Sequence, residues 1–122
     1  MSIITNVQRR TEKTQGDRSM KEELIALESS IDEAVKNRKM KQKENQQKID
    51  DYYQLLINIL NEINEIDSRD RQLHYEKKPL NFNDRIEYIE SHKYQYMGYE
   101  QLKTMMKEVL KLKVVHDLKK KK

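Results

Sequence analysis

Between Leu24 and Leu73 apolar residues recur in a rhythm of fours and threes: Leu24, Ile31, Val35, then Ile49, Tyr52, Leu56, Ile59, Ile63, Ile66 and Leu73. Residues at that spacing lie along one side of an α-helix. The rhythm runs on through residues 36–48, but its positions there read Arg38, Gln42 and Asn45. Neither Pro nor Gly interrupts from Ser19 to Glu76. The pattern therefore predicts one helix over residues 19–77, roughly 80 Å long at about 1.5 Å per residue, with a break at Asp67, Ser68, Arg69 and Asp70 as the alternative, since Asp and Ser compete with helical backbone bonds. A stripe on so long a rod needs something to be buried against.

The rest of the composition sharpens that need. Of 122 residues, 35% are hydrophobic and 38% are charged. Average domains are about 45–50% apolar and about 25% charged, so the chain is poor in core material. The expected solutions are an elongated shape or a subunit that folds against partners. There is no cysteine, which excludes disulfides and thiolate metal sites. No apolar run reaches the ~18 residues of a membrane span, and Met1 to Ser19 lacks the apolar core of a signal peptide. A soluble intracellular protein is expected, cytoplasmic or nuclear.

Punctuation divides the chain. Residues 1–18 have no periodicity beyond Ile3, Ile4 and Val7 and read as a flexible arm. Ser19 and Glu22 form a capping box, which predicts a helix start at Ser19. Pro79 follows Lys77 and Lys78 and is expected to end the long helix, with Asn81 or Asn83 capping the next. Residues 78–115 read as a helical hairpin: one helix over 84–97, Gly98 as a left-handed cap, and another over 99–115. Residues 116–122 form a basic tail. The fold class is all-α: one long amphipathic, coiled-coil-like helix, a proline turn and two shorter helices.

No constellation points to chemistry. His74, His92 and His116 lie far apart and none has an acid at metal-ligand spacing, so solvated histidines are expected. The carboxylates Asp50, Asp51, Glu62, Glu65 and Asp67 read as a solvated helix face rather than a catalytic pair. Gly16 and Gly98 are the two glycines, which leaves no phosphate loop or nucleophile elbow. The chain is expected to be non-enzymatic, without cofactor, metal or small-molecule substrate. Tyr52, Tyr53, Tyr88, Tyr94, Tyr96 and Tyr99 read as bulk with a polar tip at half-buried junctions, with base stacking as the competing role. The segment around Gly98 is a poor helix-turn-helix, because Glu100, Gln101, Lys103, Thr104, Lys107 and Glu108 make a mixed face.

Charge is arranged in blocks. Residues 19–35 carry one Lys and five acids, net −4, and residues 36–48 carry six basic residues against Glu44, net +5. Residues 49–76 carry two Arg against seven acids, net −5, and residues 104–122 carry seven Lys against two acids, net +5. Such blocks suit a charged partner or antiparallel pairing within the chain.

The expectation is a helical scaffold or adaptor subunit in a multi-protein complex. Its partner-binding seam would be Leu24, Ile31, Val35, Ile49, Tyr52, Leu56, Ile59, Ile63 and Ile66, engaged in a helical hetero-assembly rather than a homo-oligomer. Residues 36–48 would be a solvated basic spacer, or a hinge, separating two contact sites on one helix. The alternative is an accessory nucleic-acid-binding subunit of a nuclear complex, using Lys36, Arg38, Lys39, Lys41 and Lys43 together with the tail Lys119, Lys120, Lys121 and Lys122.

Overall fold

The computed structural model describes residues 16–120, with side chains from Met20 onward. Of the arm expected over residues 1–18, residues 1–15 with Ile3, Ile4 and Val7 lie outside the described residues, as do Lys121 and Lys122, whereas residues 16–18 are helical. The described residues are all-helical, in the order α1 (Gly16–Lys36), α2 (Lys43–Ile63), α3 (Phe82–His92) and α4 (Tyr96–Lys120).

The single helix expected over 19–77 is two helices folded on each other. α1 and α2 pack together, and the two halves of the stripe face inward: Leu24, Ile31, Ile49, Tyr52, Leu56, Ile59 and Ile63 are all buried. Folding back lets one half of the stripe bury the other, which a straight rod cannot do. The gap in the stripe is the reversal. Arg38 takes a left-handed backbone with φ 60. Lys39 N–H donates to Ala34 O at 2.7 Å and Arg38 N–H to Val35 O at 3.1 Å. These two bonds form a Schellman motif, which closes the carbonyl end of α1. Asn45, a supposed solvated spacer residue, is buried, and its Nδ2 donates to Lys39 O at 2.8 Å.

α2 ends the same way. Ile66 N–H donates to Asn61 O at 2.8 Å and Glu65 N–H to Glu62 O at 3.0 Å, with Glu65 left-handed at φ 58. The helix thus stops at Ile63, well before Pro79. Residues 64–81 run as an irregular strap fastened by buried amides. Asn61 Nδ2 donates to Ser68 O and Asp70 O, and the Tyr75 hydroxyl donates to Asn61 Oδ1 at 2.7 Å. Asn64 Nδ2 and Oδ1 hold the backbone of Lys77. These bonds satisfy backbone groups that a strap without ladder partners would leave open. Pro79 is buried in this strap and ends no helix.

α3 and α4 then form the hairpin, and α4 also packs along α2. Phe82, Ile86 and Ile89 of α3 join Tyr99, Leu102, Met105, Met106 and Val109 of α4 in one core with α1 and α2. The helix boundaries differ from expectation at three places. α1 is already helical at Gly16, ahead of the start expected at Ser19. Asn81 is the cap position of α3 but sits left-handed at φ 55 without a side-chain cap bond. Gly98 is not a left-handed cap; it has no positive φ and lies in the first turn of α4. A Cβ there would collide with the backbone carbonyl of His92. The glycine is required by close approach of two helices rather than by φ.

Candidate functional site

Charge and tyrosine lock the bundle before any surface is left for function. The acidic blocks of α1 and α2 pair with cations of α4 and of the α3–α4 turn, the intrachain arrangement their order allowed. Lys103 reaches Asp32 at 3.0 Å, Lys93 reaches Asp50 at 3.2 Å and Lys113 reaches Glu62 at 3.1 Å. Arg85 grips Glu108 with both terminal nitrogens, and Arg71 grips Glu90 through Nε and Nη2. Four tyrosine hydroxyls donate to carboxylates: Tyr52 to Glu28, Tyr53 to Glu90, Tyr94 to Asp50 and Tyr99 to Asp32. Burial, followed by these carboxylates, pushes the Tyr52, Tyr53 and Tyr99 hydroxyls far above the usual tyrosine range. The Asp50 hydrogen bond, then burial, raises Tyr94 to about 12. At neutral pH all four are therefore neutral donors; Tyr52, Tyr53 and Tyr99 each staple one helix to another, and Tyr94 ties the α3–α4 turn to α2.

The residues expected to bind a partner are consequently occupied. Leu24, Ile31, Ile49, Tyr52, Leu56, Ile59 and Ile63 are core, and Val35 and Ile66 are partly buried against it. Seven of the nine expected seam residues are thus buried within this one chain, and Val35 and Ile66 keep part of their surface. His116 is a correction: it is buried, with Nε2 lacking a hydrogen-bond partner, not solvated. His92 stacks on Tyr88 with ring centroids 4.3 Å apart, and His74 is exposed. Among the described residues no group of three or more His, Asp or Glu side chains could hold a metal ion.

What remains open is a cleft of about 430 Å³ between the N-terminal half of α1 and the C-terminal half of α4. Its apolar lining is Met20, Leu24, Ile25, Leu110 and Val114. Ile25 is 68% exposed and Val114 56%, and Leu118, one turn further along α4, is 59% exposed. Lys21 and Lys111 stand on its rim, whereas Lys113 is held between Glu62 and Asp117. In a chain so charged, an apolar cleft open to water is a candidate contact surface. The sequence reading missed it because Ile25 lies off the main stripe, and because the apolar residues of α4 are spread around its circumference. That spread was the available signal: Val114, Val115 and Leu118 do not share a face with Leu102, Met105 and Val109.

The basic residues are divided between the two ends of the bundle. Lys36, Arg38, Lys39, Lys41 and Lys43 are exposed around the α1–α2 turn. Lys119 and Lys120 are exposed at the far end of α4. α4 starts beside the turn and runs away from it, about 36 Å over its length at 1.5 Å per residue. The spacer and the lysine tail therefore do not form one site.

A family model described as YpoC-like protein matches residues 15–121. The chain belongs to the YpoC-like protein family. The match covers all four helices and the strap, so the family unit is the whole bundle. No curated protein and no solved structure compared with the chain matches it. No helix among the described residues is long and apolar enough to cross a membrane.

Proposed function

We propose that the protein is a non-catalytic adaptor that docks onto another protein through the α1–α4 cleft. The occupant is an amphipathic helix of a partner subunit, with an apolar stripe for the cleft and acidic residues for the rim. The observation that carries this reading is the exposure of Ile25, Val114 and Leu118 around a concave apolar floor on an otherwise charged bundle. The rim argues for the sign of the partner. Among the described residues Lys21 and Lys111 line the cleft without an ion pair, and the carboxylate of Asp117 is already taken by Lys113. A helix laid in a groove gains its affinity from anchors at i, i+3, i+4 and i+7, and rim charges select its sequence. The bundle holds its own core, so it docks as a folded body. In this reading the docking surface adjoins the stripe at Leu24 and extends over Ile25 to Val114 of α4.

The test is photo-crosslinking from position 25 of the full chain in its native cells, followed by mapping of the joined peptide. An acidic amphipathic helix of another protein, lost when Val114 is changed to Asp, is expected. A cross-link to residues 1–15 of the same chain, or to a second copy, overturns the reading. A cross-linked partner that persists in Val114→Asp also overturns it, since the cleft would then not be the contact.

A further inference from the structure

The end of the bundle opposite the α1–α4 cleft carries a different arrangement. Five cations, Lys36, Arg38, Lys39, Lys41 and Lys43, stand on one short turn, with Glu44 as the acid among residues 36–44. None of the five makes an ion pair among the described residues, whereas Arg71, Arg85, Lys93, Lys103 and Lys113 in the body all do. Five like charges on one turn repel each other, and the fold holds them there. The Schellman bonds at Ala34 and Val35 and the buried Asn45 amide on Lys39 O fix the turn. A counter-charge from outside relieves that repulsion at no ordering cost to the turn.

The turn between α3 and α4 comes alongside. Val35, Arg38, Met40, Lys41, Tyr94, Gln95 and Tyr96 surround a depression of about 620 Å³. Its walls are of two kinds. Val35 and Met40 are partly buried and apolar, and the Tyr94 ring is anchored through its hydroxyl to both Asp50 oxygens. Arg38 and Lys41 bring charge, and Tyr96 leaves 54% of its surface in water. Flat aromatic surface beside a row of unpaired cations matches a polymer that alternates flat rings with phosphates. It matches a duplex poorly, because paired bases present no ring face to a depression and no helix here is offered to a groove.

We propose that this end of the bundle binds single-stranded nucleic acid, with phosphates on the cations of the α1–α2 turn and an unstacked base on Tyr96. The site is independent of the protein-docking cleft, about 22 Å away along α1 at 1.5 Å per residue. The adaptor would then carry a protein at one end and a strand at the other. Lys119 and Lys120 take no part, since they stand at the cleft end.

The test uses the full chain and fluorescent single-stranded DNA and RNA oligonucleotides of mixed sequence, the matching duplex, and a polyglutamate peptide. Single strands are expected to bind with a logarithmic salt slope of about −2 to −3, from three or four neutralised phosphates at about 0.7 each. Tyr96→Ala should weaken binding about five- to a hundredfold and leave the salt slope unchanged. Arg38→Gly should weaken binding and flatten the slope by about 0.7. This variant suits a left-handed position, so a raised melting temperature separates lost charge from lost fold. Replacing Lys119 and Lys120 with Gln should change nothing. The proposal is overturned by no binding at low salt, by duplex binding equal to single strand with Tyr96→Ala silent, by polyglutamate binding as tightly as the oligonucleotide, or by loss of binding in the tail variant.

Discussion

Leu56→Ala tests the main revision of the fold, because Leu56 sits in the middle of the stripe and has 0% of its surface exposed. If the stripe is the core of one folded chain, the deletion leaves a cavity in that chain. Such deletions cost about 2–5 kcal/mol, with about 3 a fair central value for a site closed on all sides. Unfolding entropy is about 2.1 cal/mol/K per residue, so a domain of about 105 residues loses roughly 4–5 °C of Tm per kcal/mol. The expected loss is therefore about 13 °C, read by circular dichroism at several protein concentrations. Ile25→Ala, at 68% exposure, should shift the midpoint by less than about 0.5 kcal/mol. Concentration decides the rest. A seam between chains would give a midpoint that climbs with protein concentration, by mass action. A midpoint that moves with concentration, or a loss below about 1 kcal/mol for Leu56→Ala, would refute the intrachain core.

Three further outcomes follow from local geometry. Glu65→Gly should stabilise the protein by about 1 kcal/mol in urea melts, since a non-glycine residue at φ 58 carries a left-handed penalty of about that size; a loss of stability would contradict the Schellman assignment. Gly98→Ala should cost about 3 kcal/mol or prevent folding, because its Cβ meets the His92 carbonyl and backbone cannot yield cheaply; a neutral result would show that α3 and α4 do not approach there. On acidification, stability should fall once the pH drops below about 4.3, the unfolded glutamate value. The Arg85 hydrogen bonds hold Glu108 below its ordinary range. Burial pulls Glu90 upward, but the Arg71 and Tyr53 hydrogen bonds outweigh it. A carboxylate depressed in the folded state stabilises above its unfolded value and loses that contribution as pH falls through its folded value. Glu108→Gln should therefore lower stability at pH 7 and flatten the acid limb, and an unchanged limb would remove Glu108 from the explanation.

How much of this was legible in the residues depended on the kind of signal. The stripe identified the residues that make the core, from Leu24 to Ile63, because burial of apolar side chains at helical spacing is a local pattern. The partner of the stripe was not legible, since periodicity tells which side is buried and not what covers it. The two chain reversals were hidden for a specific reason. Both are left-handed caps occupied by Arg38 and Glu65, where a glycine would have announced them. Lys, Gln and Asn around them permit a helix, so propensity alone carried the reading straight through. The strap at 64–81 was hidden too, because the amides of Asn61 and Asn64 that hold it read in sequence as ordinary polar positions. The cleft at Ile25 and Val114 needs two helices remote in sequence to be brought side by side.

The sequence by itself determined an all-helical chain, the identity of the apolar side chains that must be hidden, and the segregation of charge into complementary blocks. These properties follow from side-chain chemistry and spacing along the chain. Only the tertiary structure decided that the stripe folds onto itself, which turned a supposed interface into a core and a supposed spacer into a turn. The physical reason is that burial is satisfied by whichever apolar surface arrives first at high effective concentration, and a chain's own second half is always nearby. The same folding placed the exposed cations of the α1–α2 turn at one end of the described residues and the apolar cleft of Ile25 and Val114 toward the other.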